Sequence, residues 1–303
     1  MIPMNPWLKI MRPFNCFLLS MCVIVGMFAD QGLQAFNHWP AILLAFFGAW
    51  VLSAAAMILN DYFDREIDKI NQPQRPIPSG EIKPISALIV GIIFVILGLA
   101  SGISIDIYEL VIHGGVFGVS TVTAIVNASL LLSYTNFFKR YSILGNFVVS
   151  ICVWFGFLYG DLVFDFAINW FPECLGFSAF VLNFGREIAK GIIDIEGDRE
   201  NGVTTVATAL GKKWTAIISA LFYLSAVGAT IIPLFLTAAS WVYFGTILLA
   251  DVGAIAVSIW ILLDQSDKAI KIIKTIILFI MFLALISFTL EAFLGENVKP
   301  IIV

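Results

Sequence analysis

The apolar residues of this chain come in long unbroken runs separated by short polar clusters, without the two-residue alternation of half-buried strands. Nine runs approach or exceed the about 20 residues that a helix needs to cross a bilayer: 13–34, 39–60, 85–105, 110–134, 144–163, 175–193, 214–236, 239–263 and 272–294. Lipid offers no partners for backbone N–H and C=O groups, so only helices and closed barrels span it, and continuous apolar runs exclude the barrel pattern. The pattern therefore predicts an all-α, polytopic membrane bundle of about nine transmembrane helices forming one domain over 1–303. The third and fourth runs are separated only by the polar patch 106–109, and the seventh and eighth only by 237–240, so these are the tightest connections.

Composition agrees: 60% of residues are hydrophobic and 13% charged, against about 25% charged in soluble domains, and the mean hydropathy is +0.97. Charge distribution then orients the bundle. Lys and Arg gather in cytoplasmic loops, and of the 17 in this chain all but Lys299 fall on one side if the nine runs alternate direction. That predicts a cytoplasmic N-terminus, every long polar loop inside, and the C-terminus outside. The first run has no small-residue cleavage site and reads as a retained helix rather than a signal peptide. No basic tract points to nucleic acid, and nothing calls for an obligate protein partner. Cys16, Cys22, Cys152 and Cys174 lie in or beside apolar runs without metal-binding spacing and read as packing residues.

Two acidic clusters stand out. The second run leads into Asn60-Asp61-Tyr62-Phe63-Asp64-Arg65-Glu66-Ile67-Asp68, and the sixth into Asp194-Ile195-Glu196-Gly197-Asp198-Arg199, both on the predicted inner face. If the helices continue, Asn60, Asp64 and Asp68 share one stripe, Asp61 lies within a turn of it, and Asp194 and Asp198 share a face. Carboxylates so placed repel unless a cation stands between them. Mg²⁺ suits such a site, because it binds through one or two carboxylates together with waters and substrate phosphates. The connections after each cluster, 71–80 with three prolines and a glycine and 201–205 with a turn and hydroxyls, are built to fold over a polar site.

These motifs resemble the UbiA superfamily of intramembrane prenyltransferases: NDxxDxxxD through Asn60, Asp61, Asp64 and Asp68, and DxxxD through Asp194 and Asp198. The likeness extends to Arg12-Pro13-Phe14-Asn15, to Arg75-Pro-Ile-Pro-Ser-Gly80, and to Tyr134-Thr-Asn-Phe-Phe-Lys139-Arg140. It implies Mg²⁺-assisted ionisation of an isoprenyl diphosphate donor and capture of the allylic carbocation by a lipid or aromatic acceptor. It also implies two Mg²⁺ ions per site, one held by Asn60 and Asp64 and the other by Asp194 and Asp198. Asp61 and Asp68 would be catalytic groups behind those ligands or alternating with them. Lys139, Arg65, Arg199 and Lys190 would meet the substrate's charged end, with Tyr134 and Asn15 near the reacting carbon. Within the superfamily, the run from Arg186 to Arg199 and Asn15 after Arg-Pro look most like the archaeal enzymes that add a second geranylgeranyl chain to geranylgeranylglyceryl phosphate. Gly191 departs from that branch, which carries an aspartate after the lysine. Quinone- and chlorophyll-type members share much of the opening and the Pro-rich loop.

A cation-coupled transporter is the rival class, since intramembrane acids mark ion paths; it would use Asp251 at mid-depth of the eighth run together with Asn127. The acids gather at one face instead of the midplane, which favours the transferase, and leaves Asp251 as a structural hydrogen-bonding residue. His38 and His113 fall in outer connections and read as interfacial side chains, not bases or ligands.

Overall fold

The computed structural model describes residues 5–115, 117–136, 142–165, 168–200, 202–236 and 240–294. A short helix α1 (Pro6–Met11), capped by the Asn5 side chain accepting from the Trp7 N–H, turns at Arg12 in the left-handed conformation (φ 51°) into α2 (Pro13–Gln31). A 3-10 turn (Gly32–His38) leads to α3 (Trp39–Asn71), and α4 (Pro84–Tyr108) ends in a π-turn (Glu109–His113). The remainder is α5 (Val119–Asn136), α6 (Ser142–Asp165), α7 (Trp170–Glu200), α8 (Val206–Leu236), α9 (Trp241–Leu263) and α10 (Asp267–Leu294).

Among the described residues the nine long helices, α2 to α10, correspond one for one to the nine apolar runs, and no strand occurs. Among the described residues six segments can cross a membrane by length and composition; one of these, Pro13–Glu66, contains α2 and α3 up to Glu66. The α5 helix contributes a shorter apolar stretch, Val119–Leu130, and α7 ends in charges. Each helix packs on the next in sequence, α10 closes the ring against α2, and α2 with α6 and α7 with α10 pack across it. Four helix ends differ from the predicted runs by seven residues or more. α3 has 33 residues and α7 has 31, about 50 Å and 47 Å at 1.5 Å per residue, well beyond a hydrocarbon core of about 30 Å. Their surplus turns carry the acidic clusters out of the apolar layer. α5 starts at Val119 and not near 110, because Gly114 and Gly118 take positive φ and turn the chain there. α8 starts at Val206, with a break at Gly211 (φ 81°, ψ 171°) just before the predicted run.

Lipid takes the place of water around this bundle, so large side chains face outward: Leu43, Ile85, Ile96, Val111 and Leu249 are all exposed. Between helices no hydrophobic force acts, and close approach through small residues takes its place. Leu59 and Leu52 of α3 sit directly over Gly91 and Gly98 of α4, seven residues apart on both helices. Gly26 of α2 and Gly160 of α6 meet backbone to backbone: a Cβ on Gly160 would lie 2.2 Å from the Val23 carbonyl oxygen and 2.7 Å from the Met27 nitrogen.

Because neither of those atoms can rotate away, Gly160→Ala is expected to destabilise the protein by about 1–3 kcal/mol. A lowered midpoint of thermal unfolding in detergent checks this; an unchanged midpoint would mean that α2 and α6 are less tightly joined.

Candidate active site

The surplus turns of α3 and α7 bring both acidic clusters to the same end of the bundle. On α3, Asp61, Asp64 and Asp68 are all buried. Asn60 donates from Nδ2 to Asp64 Oδ2 at 3.1 Å, while its own Oδ1 is buried without a hydrogen-bond partner among the described residues. Buried carbonyl oxygens are rarely left so, and this one stands beside a carboxylate, as a hard-cation ligand would.

Asp61 and Asp68 turn toward the connection that follows α3. Arg75, in the Pro-rich loop, donates from one nitrogen to Asp68 Oδ2 at 2.6 Å and to Asp61 Oδ1 at 3.2 Å. Arg12 reaches the same Asp61 oxygen at 2.8 Å from the left-handed corner between α1 and α2. Two carboxylates of the first motif are thus neutralised by arginines, which clamps α1, α3 and the loop together.

Two cavities meet at this point. The inner one, about 810 Å³, runs along Asn60, Met57, Ser53, Leu52 and Gly48 of α3 and continues past α10 through Leu278, Met281 and Phe288. The outer one, about 730 Å³, is lined by Asp64, Asp68, Asp194, Glu196, Asp198 and Thr205. They share Asp64, Gln72, Arg75, Glu187, Lys190, Ile193, Asp194, Lys271 and Lys274. The result is a polar mouth opening into a largely apolar tunnel, a shape matched to a ligand with a charged head and a long hydrocarbon tail. At the charged end of α7, burial and the neighbouring Asp194 charge push the Asp198 carboxyl up to about 6, so a cation placed between the two acids would be strongly favoured.

The other predicted residues distribute unevenly. Asn15 lines the inner cavity, and Lys190 lines both while donating to Glu187 at 2.6 Å. Arg65 and Arg199 line neither cavity. Each follows an aspartate by one residue, and side chains one apart on a helix do not share a face. The Arg65 guanidinium lies 4.6 Å from the Tyr62 ring centroid and beside Glu66, and Arg199 is exposed. Lys139 and the side chain of Tyr134 lie outside the described residues. Gly191 lines the outer cavity, where an added Cβ would make only ordinary contacts with Ala207 and Thr205, so packing does not demand glycine there. Asp251 lines the inner cavity and accepts the Thr230 hydroxyl at 2.9 and 3.1 Å; Asn127 lines it too, donating to the Thr123 carbonyl.

Lys271 and Lys274 of α10 are site residues that sequence reasoning had counted only as inner-face anchors. Their three-residue spacing at the start of α10 was visible, but nothing in the sequence said that α10 closes against α7. Arg186 is another: it lines the inner cavity, donates to Glu187 at 2.7 Å and to the Lys274 carbonyl at 3.1 Å, and so ties α7 to α10. Buried Glu187 stands between Arg186 and Lys190 and holds both.

An all-helical bundle with paired acidic motifs at the mouth of an apolar tunnel defines an intramembrane transferase of prenyl groups, and residues 19–288 match the UbiA prenyltransferase family, to which this chain belongs. It is a multi-pass membrane protein and a prenyltransferase, and the transporter alternative gives way to that membership. Among its relatives, the digeranylgeranylglyceryl phosphate synthase of Methanothermobacter thermautotrophicus is 32% identical over 268 residues, 88% of each chain. That of Saccharolobus solfataricus is 34% identical over 215 residues, 70% of this chain and 71% of the relative. A solved chain from a structural study of digeranylgeranylglyceryl phosphate synthase in membranes superposes with a TM-score of 0.67 at 27% identity, over 96% of this chain and 99% of the other. A UbiA homolog from Archaeoglobus fulgidus, solved with GPP and Mg²⁺ bound, shares the fold with a TM-score of 0.62 at 16% identity, over 94% and 99% of the two chains.

Arg75→Ala would leave two buried carboxylates short of their shared cation, and removing one partner of such a pair costs about 3–5 kcal/mol. Arg65→Ala is expected to shift stability by no more than about 1 kcal/mol. Thermal unfolding of the two variants side by side checks the contrast; equal shifts would contradict the clamp.

Proposed function

We propose that this chain transfers a geranylgeranyl group from its diphosphate to geranylgeranylglyceryl phosphate, the second prenylation of archaeal ether-lipid synthesis. The observation that carries the reading is the polar mouth shared with the apolar tunnel, flanked by both acidic motifs. The acceptor rests on the names of the relatives at 32% and 34% identity. The donor's tail lies in the tunnel along α3 and α10, and its diphosphate lies in the mouth. Asn60 with Asp64, and Asp194 with Asp198, would each hold one Mg²⁺, an assignment supported by the Asn60 oxygen that lacks a hydrogen-bond partner among the described residues. When bound, these ions supply charge neutralisation to the departing diphosphate.

The chain's own residues do the rest. Lys190, Lys271 and Lys274 face the mouth and stabilise the negative charge that grows on the diphosphate as the bond to C1 breaks, a charge larger in the transition state than in the bound donor. Glu187 keeps Lys190 and Arg186 aimed by accepting from both. The apolar tunnel wall excludes water from the allylic cation until the acceptor hydroxyl reaches C1. Asp61 and Asp68, gripped by Arg75 and Arg12, set the register of α3 and of the loop over the mouth. The mouth faces the cytoplasm, in keeping with the crowding of Lys and Arg on that side.

Asp64→Asn and Asp198→Asn are each expected to lower turnover by about 100-fold or more while leaving a folded, extractable protein. Wild-type rates in both would overturn the ligand assignment. Asp251→Asn, far from the mouth, is expected to lower turnover by less than about tenfold, since it removes a hydrogen-bonded wall group and no ligand. The reaction itself is tested with purified protein, geranylgeranyl diphosphate and Mg²⁺, offered geranylgeranylglyceryl phosphate, dihydroxynaphthoate and hydroxybenzoate in parallel. Pyrophosphate and prenylated product with the glycerol phosphate ether support the reading; product only with an aromatic acceptor would replace it.

A further inference from the structure

At the end of the bundle opposite the mouth, the start of α3 and the end of α4 bring His38, Glu109 and His113 together. His38 Nδ1 lies 3.0 and 2.9 Å from the two carboxylate oxygens of Glu109. The two imidazole rings are 4.0 Å apart, centroid to centroid, and one donor atom from each of the three residues falls within 4.8 Å of the others. Glu109 is 2% exposed, and His38 is the one hydrogen-bond or ion-pair partner of its carboxylate among the described residues. The connections on that side, 32–38, 106–118 and 168–169, contain no Lys or Arg. A buried carboxylate with about four acceptor positions and a single N–H donor is poorly compensated.

Local backbone geometry points the same way. Glu109 to His113 is a π-turn ended by Gly114 in the left-handed conformation, whose N–H caps the Glu109 carbonyl. Such turns concentrate at functional sites because the widened coil re-aims side chains. Here the widened coil presents Glu109 inward while His113, exposed, closes from the rim, and Phe164 of α6 covers the other side of His38 at 4.4 Å. Two imidazoles, one carboxylate and an open side form the donor set of a four-coordinate zinc site with a water in the fourth position.

We propose that His38, Glu109 and His113 form a divalent transition-metal site of the zinc class at the outer end of the bundle, distinct from the Mg²⁺ site at the mouth. The metal takes the place of the N–H between His38 Nδ1 and Glu109, and the imidazole stays neutral by carrying its proton on Nε2. Ligand atoms about 2.0–2.1 Å from zinc stand about 3.4 Å apart, so rotation of exposed His113 completes the set. The ion pins the α3 start to the α4 end across two different connections, and by mass action it stabilises the folded chain.

The test uses full-length detergent-purified protein, stripped with chelator and held in excess Mg²⁺ to occupy the acidic motifs. Zn²⁺ is then added, bound metal is counted after desalting, and the same preparation is titrated with Co²⁺ while its visible absorption is followed. Wild type is expected to keep one equivalent of Zn²⁺, to give a four-coordinate Co²⁺ spectrum and to unfold at a higher temperature with Zn²⁺. His113→Ala, an exposed change that leaves Glu109 with His38, is expected to weaken binding at least about tenfold and to abolish the thermal shift, with prenyl transfer unaltered. Glu109→Gln serves as the second variant. Zinc retained by both variants, or no zinc retained by wild type, would overturn the site.

Discussion

Crowding of like charge at one end of a lipid-embedded bundle is the constraint from which this structure is built. Asp61, Asp64 and Asp68 of α3 are buried there, and Asp194 and Asp198 of α7 face the same cavity. Such a set is unstable unless cations are distributed among its members. Arg75 and Arg12 take Asp61 and Asp68, which leaves Asn60, Asp64, Asp194 and Asp198 facing the space between the two helices. One side of the motif is thereby neutralised by the protein, while the other lines the cavities that meet at the mouth.

Neutralisation also organises the fold around the mouth. Arg12 sits at the single described non-glycine residue with positive φ, so the corner between α1 and α2 is held by the ion pair it makes. Arg75 draws the Pro-rich loop over the end of α3. Arg186 and Glu187 couple α7 to α10 through the Lys274 carbonyl, and in doing so present Lys271 and Lys274 to the cavity. Below this polar layer α2 with α6 and α3 with α4 approach closely through small residues, and a buried hydrophobic core joining α6 to α10 packs beside the tunnel.

The opposite end handles its buried acids by other means. Asp106 accepts from the N–H groups of Ser120 and Thr121 at the start of α5, and Glu291 accepts from the Ser240 N–H. These carboxylates cap helices and need no cation. Among the described residues the Glu109 carboxylate differs in facing only a histidine, which is why the pair of imidazoles beside it stands out from the rest of that surface.

The helix count, the membrane class and both acidic motifs were legible in the sequence, because each depends on local information. Length and apolarity of a run decide whether it spans, and four-residue spacing decides which side chains share a face. Asn60 with Asp64 and Asp194 with Asp198 could be paired for that reason. Arg65 and Arg199 each follow an aspartate by one residue, and that offset on the helix leaves them outside the cavity linings. Lys271, Lys274 and Arg186 were missed, and Glu109 was passed over as part of a polar patch, because their roles arise only when α10 meets α7 and when α4 ends beside α3. The sequence by itself determined what each helix is and which residues line each face. Only the tertiary structure decided which faces meet, since in lipid that choice rests on close packing between distant segments and on long-range ion pairs, neither of which leaves a periodic trace along the chain.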